Sequence, residues 1–257
     1  MDVSRVPVET ATRGPGGATN AYLLGSDSAL LIDPAARTDT LDDAVAAADP
    51  SHVAVTHHHP DHVGAVADYA DACNGTLWAH AGRAEAFERA TGVAPDRRFR
   101  PGDRIQTGDG PIEIVDTPGH AQEHVAFAWG EGAVVGDLAV AAGSVVVGAP
   151  EGDMRAYLTS LRRLRGRGFE TLYPGHGPVI EDPEATLTRL LDHRLDRERT
   201  VRDAVADGAR TVEAVLDGAY EKDLTGVRDL ARATVRAHLE KLAVEGDLDF
   251  DGERVER

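Results

Sequence analysis

Ten consecutive residues, Val53-Ala54-Val55-Thr56-His57-His58-His59-Pro60-Asp61-His62, put four histidines and an aspartate directly after a short apolar run. Side chains alternate along an extended segment, so His57 and His59 face one way and His58 the other. Pro60 suits the first turn of a helix, where its missing N–H costs nothing. That turn carries Asp61 and His62 to a second position a few ångströms from the first. Imidazole and carboxylate are donors that zinc favours, and a catalytic zinc keeps one position for water. The fold must therefore bring further donors to this loop.

Three segments can supply them. Thr117-Pro118-Gly119-His120 follows a strand ending at Val115, Gly136-Asp137 follows Ala133–Val135, and Tyr173-Pro174-Gly175-His176 follows Thr171–Leu172. Strand ends gather at one edge of a sheet, and Gly119 and Gly175 let the backbone turn sharply beside a ligand. The expected sets are His57, His59 and His120 for one cation and Asp61, His62 and His176 for another, with Asp137 between them. His124, four residues after His120, is a candidate to support a ligand from behind and otherwise reads as a polar core residue. His52, His58, His80, His193 and His238 read as ordinary polar residues.

Short strands are expected over Ala21–Leu24, Ser28–Ile32, His52–Val55, Ile112–Val115, Val125–Trp129, Ala133–Val135 and Thr171–Tyr173. Helical spacing marks Thr40–Ala48, Ala65–Ala72, Ala81–Ala90 and Asp153–Arg165. This interleaving predicts a layered α/β unit over residues 1–183. From Glu184 the pattern becomes helical: a long helix stopped by Gly208, a second over Val212–Tyr220 capped by Thr211, and a third over about Val227–Glu245. A ribbon around Asp251-Gly252 closes the chain. Residues 184–257 thus read as a small winged-helix-like domain.

Charge narrows the setting. Asp and Glu total 44 against 27 Lys and Arg, a net charge of −17, and only Lys222 and Lys241 are lysines. Such an acidic, lysine-poor chain suits a cytoplasm rich in salt. In molar salt the screening length is about 3 Å, so the charge does not exclude a nucleic-acid substrate. No run approaches the roughly 18–20 apolar residues of a membrane span. The first residues lack a secretory apolar core, so a cytoplasmic location without membrane contact is expected. The lone Cys73 rules out an intrachain disulfide and a cysteine cage for metal.

The segments THHHPDH, TPGH, GD and PGHG, in this order, resemble the signatures of the metallo-β-lactamase superfamily over about residues 18–180. The resemblance implies an αββα sandwich with two zinc ions, or iron or manganese, at one edge of the sheets. It also implies that Asn20 lies on an early strand near the site. The later stretch TSLRRLRGRGFETLYPGHGPVI, then HRLDRER and AHLEKLAVEGDL, is similar to the beta-lactamase-like endoribonuclease group, whose animal members cut single-stranded RNA. The segment LAVAAGSVVVGAP after Asp137 departs from that group's loop.

The expected activity is hydrolysis by a hydroxide bridging two cations, with Asp61 orienting it and accepting its proton. Single-stranded RNA is the first substrate expectation, with Arg228, Arg232 and Arg236 on one helix face. That face also reads as a solvated arginine stripe or one paired with neighbouring acids. Hydrolysis of small esters or thioesters, as in glyoxalase II, is the alternative. A non-catalytic winged-helix binding protein is a third reading, opposed by the intact donor set. His59 stands where a diiron flavoprotein relative carries Glu. The oligomeric state is left open.

Overall fold

The computed structural model describes residues 1–148 and 150–256. Strands β1 (Val3–Glu9), β2 (Ala18–Leu24), β3 (Leu30–Ile32), β4 (His52–Ala54), β5 (Thr76–His80) and β6 (Arg97–Phe99) form one sheet in sequence order. The second sheet runs β11-β10-β9-β8-β7, with β7 Arg104–Thr107, β8 Gly110–Asp116, β9 Val125–Trp129, β10 Gly132–Gly136 and β11 Thr171–Pro174. Strand β1 has no counterpart among the sequence expectations. It pairs along its full length with β2, and its Pro7 is tolerated because β1 is an edge strand.

Alternation along the strands decides the layers. In β2, Ala21 and Leu23 pack toward helices, whereas Tyr22 and Leu24 turn to the other sheet. Helices α1 (Asp39–Ala48), α3 (Val66–Ala72) and α4 (Ala84–Thr91) cover the first sheet through Leu41, Val45, Val66, Tyr69 and Phe87. Between the sheets lie Ile32, Phe99, Ile114, Phe127 and Val134. Helix α5 (Met154–Arg165) covers the second sheet with Tyr157, Leu158 and Leu161. The result is the expected αββα sandwich. Thr38 caps α1, where its hydroxyl accepts from Leu41 N. The expected helix over 81–90 begins as a single tight turn at Ala81–Arg83 before α4.

Helices α6 (Pro183–Ala206), α7 (Val212–Ala219) and α8 (Arg228–Glu245) follow, then β12 (Asp249–Phe250) paired with β13 (Val255–Glu256). The hydrophobic contacts change partner inside α6. Leu187, Leu190 and Leu191 belong to the core under α5, whereas Val201 and Val205 pack with α7 and α8. The first half of α6 is thus built into the sandwich. No helix among the described residues is long and apolar enough to cross a membrane.

Candidate metal centre

The loop after β4 enters α2 (Pro60–Val63), with Pro60 in its first turn. The loops after β8, β10 and β11 arrive at the same edge. The structure gathers every expected donor there: His57, His59 and His120 form one group, Asp61, His62 and His176 another, and Asp137 joins His57 and His62 in a third. Asp137 stands between the sets. Its Oδ1 is 3.6 Å from His62 Nε2, and its Oδ2 is 3.5 Å from His120 Nε2 and 3.4 Å from His176 Nε2. Asp61 Oδ2 is 3.5 Å from His176 Nε2.

Hydrogen bonds behind the rings decide which nitrogen faces inward. His57 Nδ1 donates to Thr56 Oγ1 (3.0 Å), His62 Nδ1 to Asp33 Oδ2 (2.9 Å), His120 Nδ1 to Val146 O (2.7 Å) and His176 Nδ1 to Ala18 O (2.8 Å). Each ring then offers Nε2 to the centre. His59 is reversed: its Nε2 donates to Glu151 Oε2 (2.8 Å), leaving Nδ1 inward. That Nδ1 lies 3.0 Å from His57 Nε2 and 2.9 Å from His120 Nε2. Three lone pairs converge on one point.

The close approach depends on Gly175 and Gly119. A Cβ on Gly175 would sit 2.5 Å from Asp137 Oδ1, and one on Gly119, whose φ is +139°, would strike the Tyr157 backbone at 2.3 Å. Asn20, on β2, fixes the His176 loop by donating from Nδ2 to Pro174 O and Gly177 O, both at 2.9 Å. His124 lies behind the centre: it donates to Thr117 Oγ1, and its Nε2 accepts from Asp137 N at 3.1 Å. His58 points away, toward Glu123 and Phe87.

Two supports were not anticipated from sequence. Asp33, fully buried with φ +52°, accepts from Thr56 N and Thr56 Oγ1, both at 2.7 Å, as well as from His62. An Asp-Pro step ending a buried strand was the available signal. Glu151 is the other, on a loop with no local pattern.

Burial, then the neighbouring imidazoles, pushes His57 well below its ordinary pKa; burial also lowers His120 and takes His124 to about 3. Burial alone would lower His62 as well, but Asp33 and Asp137 on either side hold it at about 9. Burial would raise Asp137; His62, His176 and His120 outweigh it and keep the carboxyl ionised. Neutral imidazoles and ionised carboxylates are the forms that bind metal, so a cation bound by His62 displaces the proton that Asp33 and Asp137 hold there. His62 Nε2 and Asp137 Oδ1 are buried without a hydrogen-bond partner among the described residues. Buried polar atoms ordinarily find one. A divalent cation fits this donor set.

A cleft of about 340 Å³ opens onto the donors. Its walls include Val140, Val145, Val146 and Leu230, and among the described residues Arg13 is the one lysine or arginine lining it. Arg13 is paired with Asp229 at 2.7 Å.

An αββα sandwich with imidazoles and carboxylates clustered at the sheet edge defines a metal-dependent hydrolase. A family model described as the metallo-beta-lactamase superfamily matches residues 14–176, and the chain belongs to that superfamily. It is 30% identical to the Beta-lactamase-like protein 2 homolog of Drosophila melanogaster, across 90% of this chain and 84% of the fly protein. It is 31% identical to an atrochrysone carboxyl ACP thioesterase of Aspergillus chevalieri, across 85% of this chain and 75% of that one. Among solved structures, a metallo-beta-lactamase family protein from Thermus thermophilus superposes with a TM-score of 0.78, 23% identity and coverage of 99% of this chain and 98% of that one.

Proposed function

We propose that the protein is a dinuclear hydrolase of compact esters or thioesters, with zinc as its metal and iron or manganese as alternatives. The observation that carries this reading is the cleft itself: both donor sets open onto an apolar wall of Val140, Val145, Val146 and Leu230. Such a wall accepts an acyl group. Imidazole and carboxylate donors suit zinc, and imidazole suits iron as well. The thioesterase named among the relatives supports the same chemistry.

His57, His59 and His120 would hold one cation, Asp61, His62 and His176 the other, with Asp137 shared. A cation pair there supplies an activated water and polarises the bond under attack. Asp61 lines the cleft; it orients the attacking water and takes its proton. Val145 and Val146 keep bulk water from the acyl side. Arg13, once released from Asp229, meets an anionic group at the mouth.

Single-stranded RNA is the second reading. It is favoured by the position of α8, which carries Leu230 into the cleft and Asp229 to its mouth, so a polymer entering would cross the helical unit. We read the three helices and ribbon from about residue 184 as winged-helix-like, with the first half of α6 shared with the sandwich core. Against RNA, the arginine stripe is held in ion pairs. Arg228 meets Glu213 and Asp217, Arg232 meets Glu213, and Arg236 meets Glu240. The test is a panel of acyl thioesters, small esters and single-stranded RNA with zinc-loaded enzyme in high salt. Thioester or ester turnover well above RNA cleavage is expected; RNA cleavage alone would reverse the assignment.

A further inference from the structure

The segment 138–148 starts beside Asp137 and ends just after Val146, whose carbonyl holds His120. It has no strand or helix of its own, yet Val140, Val145 and Val147 are buried. Carbonyls outside a helix or sheet ladder need other donors. Two arginines of α6 provide them. Arg189 donates from Nη1 to Gly143 O (2.6 Å) and from Nη2 to Val140 O (2.9 Å) and Ala141 O (3.1 Å). Arg194 donates from Nη2 to Val145 O, one residue before the carbonyl on His120.

Arg194 is 2% exposed, with its guanidinium 5.5 Å from the centre of the Tyr157 ring. Burying a guanidinium is costly; its Nε has no hydrogen-bond partner among the described residues, so the bond to Val145 O and the Tyr157 ring are what offset that cost. The two arginines thus grip one side of a segment whose other side both orients a metal-facing imidazole and forms the acyl wall. Fork-shaped guanidinium donors suit this task better than a lysine point charge.

We infer that Arg189 and Arg194 are positioning residues for the metal centre, acting from the C-terminal helices through segment 138–148 on His120 and the cleft wall. The inference rests on the two-cation reading. It gives the HRLDRER stretch, which begins at His193, a part in the active site. It also makes the helical unit necessary for small substrates as well as large ones.

Arg189 is exposed, so Arg189→Ala should fold. The experiment titrates zinc against a chromogenic chelator for wild type, Arg189→Ala, Arg194→Lys and Arg197→Ala. Arg197 lies on the same helix but serves the other core: it donates to Ala219 O and stacks at 3.6 Å on Tyr220. The expected result is about tenfold weaker zinc binding for Arg189→Ala, a smaller loss for Arg194→Lys, and none for Arg197→Ala even where its melting temperature falls. In a His120→Ala background, Arg189→Ala should cause no further loss, because both act at one point. Unchanged zinc affinity in Arg189→Ala beside a two-zinc wild type overturns this inference alone. An equal loss in Arg197→Ala overturns it too, as general destabilisation. A wild type that binds no zinc removes this inference and the two-cation reading together.

Discussion

Asp33 and His62 meet at 2.9 Å with both side chains wholly buried, and the same carboxylate also takes the backbone N–H and hydroxyl of Thr56. One residue thereby fixes His62 directly and His57 through Thr56. Asp33→Asn removes the charge and leaves the ring orientation of His62 without its carboxylate. Zinc affinity should fall about 10- to 100-fold in chelator competition, with the far-UV spectrum kept. Affinity equal to wild type would show that Asp33 is a folding residue alone.

His59 and Asp61 contribute a donor each to different sets and pack little into the core. His59→Ala and Asp61→Ala should reduce hydrolysis to the rate without enzyme while the melting temperature stays within a few degrees of wild type. Retained turnover in pure variant protein would count against the assignment.

The order of the four donor loops was legible in the sequence because each pairs a strand with a turn and a ligand type. His57, His59, Asp61, His62, His120, Asp137 and His176 all arrive where the spacing placed them. The inverted ring of His59 was not legible. It depends on Glu151, distant in sequence and set by a loop. Asp33 was missed because an Asp-Pro after a strand reads equally well as a turn. Edge strand β1 was missed because Pro7 argues against a central strand and nothing local shows that an edge is needed. The sharing of α6 between two cores was hidden because Leu187, Leu190, Leu191, Val201 and Val205 continue one helical pattern.

Glu198 sits at 7% exposure between Lys241 Nζ at 2.9 Å and His238 Nδ1 at 3.4 Å. Burial would raise its pKa, but His238 and Lys241 outweigh it and hold it at about 2. A folded value below the unfolded one means stability present above about pH 4.3 and lost as pH falls through about 2. Glu198→Gln should cost about 2–3 kcal/mol at pH 7 and flatten the acid limb of the melting curve. An unchanged acid limb would place the loss elsewhere.

The net charge of −17 repels itself at low ionic strength. Between about 0.1 and 2 M KCl the melting temperature should rise by several degrees as screening shortens to a few ångströms. A flat or falling curve would contradict the halophilic reading.

Metal content decides the central claim most directly. Protein purified without chelator and reloaded with zinc should carry about two equivalents per chain by elemental analysis, and Asp137→Ala should carry clearly fewer. Fewer than about 0.2 equivalents in wild type, or full hydrolytic activity in metal-free protein, would contradict the account.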